Sequence, residues 1–172
     1  MDANEMAAGG APYLDVEALE RKARSGASWF FWIAGLSLVN TAMAFSGEDR
    51  AFLVGLSVTQ VVDAFAKVFV EQGWPKSVHY VAIGFDVLVA GAFAGAAVLA
   101  RRKVLWVFAT AIVLYVLDAL LCIPFEVWPS LAFHGLALFY LVSGFTALRK
   151  LRAATAPPVP AAAVASVNPL VR

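Results

Sequence analysis

The chain has 172 residues, 62% of them hydrophobic, with a mean hydropathy of +0.79 and a formal net charge of +1. A soluble domain is nearer ~45–50% apolar with glycine counted, so this composition belongs to a membrane protein, and it leaves no basic, aromatic-interleaved surface for nucleic acid. The single Cys122 excludes an internal disulfide and a CxxC redox pair, and the sequence holds no Walker loop, HExxH or GxSxG.

Residues 1–26 carry five acids and three bases, with no basic leader ahead of a short apolar core and no small-residue cleavage site. They predict a cytoplasmic N-terminal segment ahead of an uncleaved anchor. The first apolar run covers residues 27–45, and three more follow at 79–100, 104–123 and 128–148. Each is close to the ~20 residues with which a helix crosses ~30 Å of hydrocarbon. Residues 149–172 open on Arg149, Lys150 and Arg152 and continue in Ala and Pro without a period that could bury a face, which predicts a flexible cytoplasmic tail.

Between the first two runs lies SVTQVVDAFAKVFVEQGW, residues 57–74. Gln60, Asp63, Lys67 and Glu71 share one stripe of a helix there, while Val61, Val62, Phe65, Val68 and Phe69 fill the rest. Inserting Asp63 and Lys67 into a bilayer costs roughly 2.5–3.5 kcal/mol each before a partner is found. A horizontal amphipathic helix over residues 52–72, on the outer face, avoids that cost: its polar stripe meets water or headgroups and its apolar face sinks into the interface.

Charge placement agrees. With four spans and both termini inside, ten of the thirteen Lys and Arg residues fall on the cytoplasmic side; five spans leave at best eight inside. The positive-inside rule therefore favours an all-α, four-transmembrane-helix bundle with residues 27–148 as its membrane domain, in a bacterial inner membrane. The alternative is five spans, with Asp63 and Lys67 paired inside the bundle. Trp29, Trp32 and Trp106 at the inner interface and Trp74, Tyr80 and Trp128 at the outer one fit interfacial anchoring.

The chemistry lies inside the runs, where an ionisable group is expensive and faces the bundle or a wet cavity. Asn40, Asp86, Asp118 and His134, one from each run, all fall within roughly 7–10 Å of the outer ends at 1.5 Å per residue. They predict one polar layer, roofed by the helix carrying Gln60, Asp63 and Lys67. Tyr115 lies on the face of Asp118 and Cys122, and Ser37 and Thr41 lie on that of Asn40. Asp86 is expected to accept a hydrogen bond from Tyr115 or His134. The second run carries Ala82, Asp86, Ala90 and Ala97 on one face and Gly84, Gly91 and Gly95 on the opposite one, which predicts a central helix and a glycine face for intramolecular packing or a homodimer.

Buried Asn, Asp and His also serve as ties between membrane helices, worth about 0.6–2 kcal/mol each. Three functional readings stand beside that one. A lipid-, ligand- or partner-binding accessory module needs the fewest assumptions. A proton- or ion-coupled transport element working as an oligomer would use Asp86, Asp118 and His134. A metal-dependent hydrolase would need the same three as ligands, without any HxxxD or HxxH spacing. No catalytic residue or cofactor is named by the sequence.

Overall fold

The computed structural model describes residues 15–45 and 55–155. They form five helices: α1 (Val16–Phe45), α2 (Ser57–Glu71), α3 (Ser77–Arg101), α4 (Leu105–Leu121) and α5 (Trp128–Ala154). No strand occurs among the described residues. Most of the N-terminal segment, the start of the predicted horizontal helix at residues 52–54 and the tail beyond residue 155 lie outside them.

Three helices, α1, α3 and α5, are long and apolar enough to cross a membrane. The fourth predicted span corresponds to α4, which is apolar but has 17 residues, about 25 Å at helical rise. Both turns flanking it are tight enough to force a side-chain-bearing residue into the left-handed region, Lys103 at φ 64° and Glu126 at φ 55°. A non-glycine residue there is strained. Lys103 also bonds Glu20 across the bundle at 2.7 Å, holding the α3–α4 turn beside the start of α1.

The half of the bundle nearest that ion pair is a dry core. Phe30, Phe108, Leu141 and Leu148 are buried, interleaved with alanines such as Ala27, Ala97, Ala137 and Ala147. Phe30 and Phe108 meet edge to face with ring centroids 5.2 Å apart, the geometry that the ring quadrupoles favour. Small residues let the helices approach closely, most of all where α1 crosses α5: a Cβ on Gly26 would lie 2.6 Å from the Gly144 Cα, and the reverse holds. Here backbone meets backbone.

With this crossing, α1 packs more extensively than α4 against both α3 and α5. The prediction had put α3 at the centre because both of its faces are small. Its alanine face does turn inward, with Ala82, Asp86, Ala90 and Ala97 buried. Gly84, Gly91 and Gly95 instead look outward, and an added Cβ would meet nothing within 4 Å at any of them. The close approach inside the bundle is made by Gly26 and Gly144, so the glycine face of α3 is left open.

Helix α2 is seated differently from a raft on the surface. Its first turn is sunk among the other helices, with Leu56, Ser57 and Thr59 buried. Gly55 precedes it at φ 147°, where a Cβ would come within 2.8 Å of the Asn40 amide nitrogen and 3.2 Å of the Ser37 Cα. Only glycine satisfies both the backbone angle and the space. The predicted polar stripe is divided: Asp63 turns toward α3 while Lys67 and Glu71 stay exposed. Phe65, Val68 and Phe69, the face predicted to sink into the interface, are exposed at the protein surface.

Candidate functional site

Above the dry core the buried residues change character. Ser37, Asn40 and Thr41 on α1, Ser57 and Thr59 on α2, Asp86 on α3, Asp118 on α4, and Ser130 and His134 on α5 are all buried. Each buried polar group in such a layer must be paired or bear a cost, so the partners define what the layer does.

Helix α2 has Leu56 at its N-cap and no side-chain cap of its own. Its free N–H groups are taken by a carboxylate from another helix: Ser57 N–H donates to Asp118 Oδ2 at 2.9 Å and Val58 N–H to Asp118 Oδ1 at 2.8 Å. An anion at this end also meets the positive pole of the helix dipole. Asp118 in turn is held by His134, whose Nε2 lies 2.9 Å from Oδ2. The other ring nitrogen, Nδ1, donates to the Ser130 carbonyl at 2.7 Å. A carbonyl can only accept, so Nδ1 carries a proton and a further one lies between Nε2 and Asp118. Tyr115 stacks on the His134 ring at 4.7 Å and 19°, which fixes the plane of the imidazole.

Hydroxyls and the thiol extend the tie. Thr59 Oγ1 donates to the Leu56 carbonyl at 2.8 Å and takes a 3.2 Å bond from the Ser37 hydroxyl. Ser57 Oγ lies 2.9 Å from Cys122 Sγ, which reaches Ser130 Oγ at 3.6 Å. The first turn of α2 is thereby fastened to α1, α4 and α5.

A second cluster lies on the other side of α2. Thr41 Oγ1 donates to Asp86 Oδ2 at 2.8 Å, and the Asp63 carboxyl comes within hydrogen-bonding reach of Asp86. Burial against α3 pushes the Asp63 carboxyl above the usual carboxylate range, an effect opposed by its bond to Asp86. Asp86 is fully buried, yet its Oδ1 has no partner. Its partners are thus Thr41 and Asp63, in place of the expected Tyr115 or His134. The Tyr115 hydroxyl is also buried and unpartnered.

The predicted set is therefore split. Asp118 and His134 meet directly with Tyr115 against them, Asp86 belongs with Asp63 and Thr41, Asn40 packs on Gly55, and Lys67 is exposed. Asp86 lies apart from the Asp118–His134 pair, and no group of three or more His, Cys, Asp or Glu side chains suited to a metal ion occurs among the described residues. Both nitrogens of His134 are occupied, one by a carbonyl and one by a carboxylate. Cys122 Sγ also lies 3.9 Å from Nδ1.

Between α2 and the α4–α5 turn lies a cavity of about 360 Å³ that the sequence did not announce. Its walls include Val61, Phe65, Val68, Leu121 and Phe125, and its polar groups are the side chains of Ser57, Gln60, Cys122 and Ser130. Sequence spacing could place Ser130 with His134, but not Phe125 and Phe65 on one cavity, because that depends on how α2 is seated. No family model matches the chain, and neither does a curated protein or a solved structure.

Proposed function

We propose that the protein is a non-catalytic binding module of a cell membrane, with four spans, both termini cytoplasmic and α2 set into the outer leaflet, where the cavity beside α2 takes a small lipophilic molecule. The observation that carries this reading is the cavity itself, apolar-walled with a few convergent polar groups and of the ~300–1,000 Å³ typical of ligand pockets. Its floor adjoins the Asp118–His134 pair, whose hydrogen bonds are spent on holding α2. Such an arrangement preforms a pocket. The outward-facing Phe65, Val68 and Phe69 suit contact with lipid tails. Four spans accommodate α4 because its apolar run extends through the turn to Ile123. The distribution of Lys and Arg favours cytoplasmic termini, and the location proposed is a bacterial inner membrane.

The test is retention. Full-length protein purified in mild detergent and extracted with organic solvent should yield a lipophilic molecule in near-equimolar amount, and Val61→Trp, which fills the cavity, should lose it. Equal recovery from both proteins would contradict the proposal.

A second reading, proton-coupled transport, is favoured by the Asp63–Asp86 contact: two carboxyls in reach of one another hold one proton more readily than none. It predicts that protein in liposomes dissipates an imposed pH gradient and that Asp86→Asn stops it.

A further inference from the structure

Resting on the cavity reading above, we infer that its ligand is a neutral lipid bearing a carbonyl or ester oxygen. None of the residues lining the cavity is charged. Behind Ser57 lies the Asp118–His134 pair, whose carboxyl and imidazole are joined to each other and turn no unpaired charge toward the cavity. A carboxylate or phosphate headgroup in the cavity would therefore find no unpaired cation, and its desolvation cost would go without an offsetting partner. An ammonium headgroup would find only hydroxyls, an amide and a thiol, while Asp118 is already saturated by two backbone N–H groups and His134.

Gln60 makes the assignment narrower. Its Nε2 is buried without a hydrogen-bond partner, and Gln60 lines the cavity. An amide nitrogen is a donor only, so its missing partner is an acceptor. Neither the Ser57 hydroxyl nor any other acceptor among the described residues fills that role, since Nε2 makes no hydrogen bond. The acceptor that reconciles a buried N–H with apolar walls is a carbonyl or ester oxygen at the end of a hydrocarbon chain. The chain itself would lie along Phe65, Val68, Leu121 and Phe125, toward the side of α2 that carries exposed apolar residues.

The experiment is photolabelling of the full-length protein in nanodiscs with four chain-matched diazirine probes: a monoacylglycerol ester, a fatty acid at pH 8, an alkylamine and a plain alkane. The expected result is labelling of the α2 and α4–α5 turn peptides by the ester at least tenfold above the acid and the amine. Gln60→Leu should erase the preference of ester over alkane while leaving alkane labelling within twofold, and Val61→Trp should abolish both. Val87→Trp, on the exposed face of α3, controls for general lipid contact. If the alkane labels the cavity but headgroup and Gln60→Leu make no difference, the neutral-carbonyl assignment fails while the cavity reading stands. If no probe labels it above the level seen around Val87, both fail. A preference for acid or amine overturns the assignment outright.

Discussion

Asp118 caps a helix that begins 61 residues before it in sequence, its Oδ2 accepting the Ser57 N–H at 2.9 Å. A helix that supplied its own Ser or Asp cap could fold before it docked. One whose cap is Leu56 gains its first-turn bonds only on reaching α4. Seating of α2 and assembly of the cavity are thus one event.

Removing the carboxylate should therefore release α2 selectively. Asp118→Ala deletes the partner in three hydrogen bonds, two of them buried and one part-buried, and should cost about 2–5 kcal/mol. Hydrogen exchange should report it as faster exchange across Ser57–Glu71, with the α1–α5 core nearly unchanged. A double-mutant cycle with His134→Gln should show coupling of about 0.5–3 kcal/mol, as for groups in one network. Uniform acceleration throughout the bundle would argue that Asp118 is a general core residue.

The glycines divide into two kinds. Gly144→Ala places a methyl group 2.6 Å from the Gly26 Cα, so α1 and α5 must separate, at a cost of about 1–3 kcal/mol. Gly91→Ala meets open space and should change monomer stability by less than about 0.5 kcal/mol. Thermal unfolding in detergent separates the two. If the open face pairs with a second copy, Gly91→Leu should in addition lower the dimer fraction measured by light scattering, leaving the monomer intact.

The Asp63 carboxyl gives α2 a pH dependence with a definite sign. Its affinity for a proton is higher folded than unfolded because burial disfavours its charged form. The stabilisation is full below the unfolded value of ~3.9 and is lost as pH rises through the higher folded value. Exchange of α2 amides, corrected for intrinsic rate, should be slower at pH 4 than at pH 7, and Asp63→Asn should reduce the difference. An opposite trend in the wild type would place the charged form of Asp63 in the docked state.

Much of the architecture was legible in the sequence, because hydropathy and the 3.6-residue period report on one helix at a time. They located α1, α3, α4 and α5 to within a few residues at the ends nearest the polar layer and identified the inward alanine face of α3. The polar layer was legible as residue types at matched depth. Its pairings were not. That Asp86 takes Thr41 while Asp118 takes both His134 and the first turn of α2 depends on helix rotation and on the insertion of α2, neither of which leaves a periodic trace. The stripe of Gln60, Asp63, Lys67 and Glu71 left the seating of α2 open for a related reason: amphipathicity reveals two faces but does not say which one lies against protein when both water and lipid are near. The Gly26–Gly144 crossing escaped notice because the two glycines belong to different helices, whereas Gly91 and Gly95 form a recognisable local motif.

The most direct test of the account is the side of the membrane on which the two ends of α3 lie. In a Cys122→Ser background, single cysteines at Lys76, Lys103 and Ala153 are exposed to a membrane-impermeant thiol reagent added outside intact cells. The account predicts labelling at Lys76 and protection at Lys103 and Ala153 until the membrane is permeabilised. Labelling of Lys76 and Lys103 from the same side would contradict it, since α3 would then not cross and the cavity beside α2 would not open to the outer leaflet.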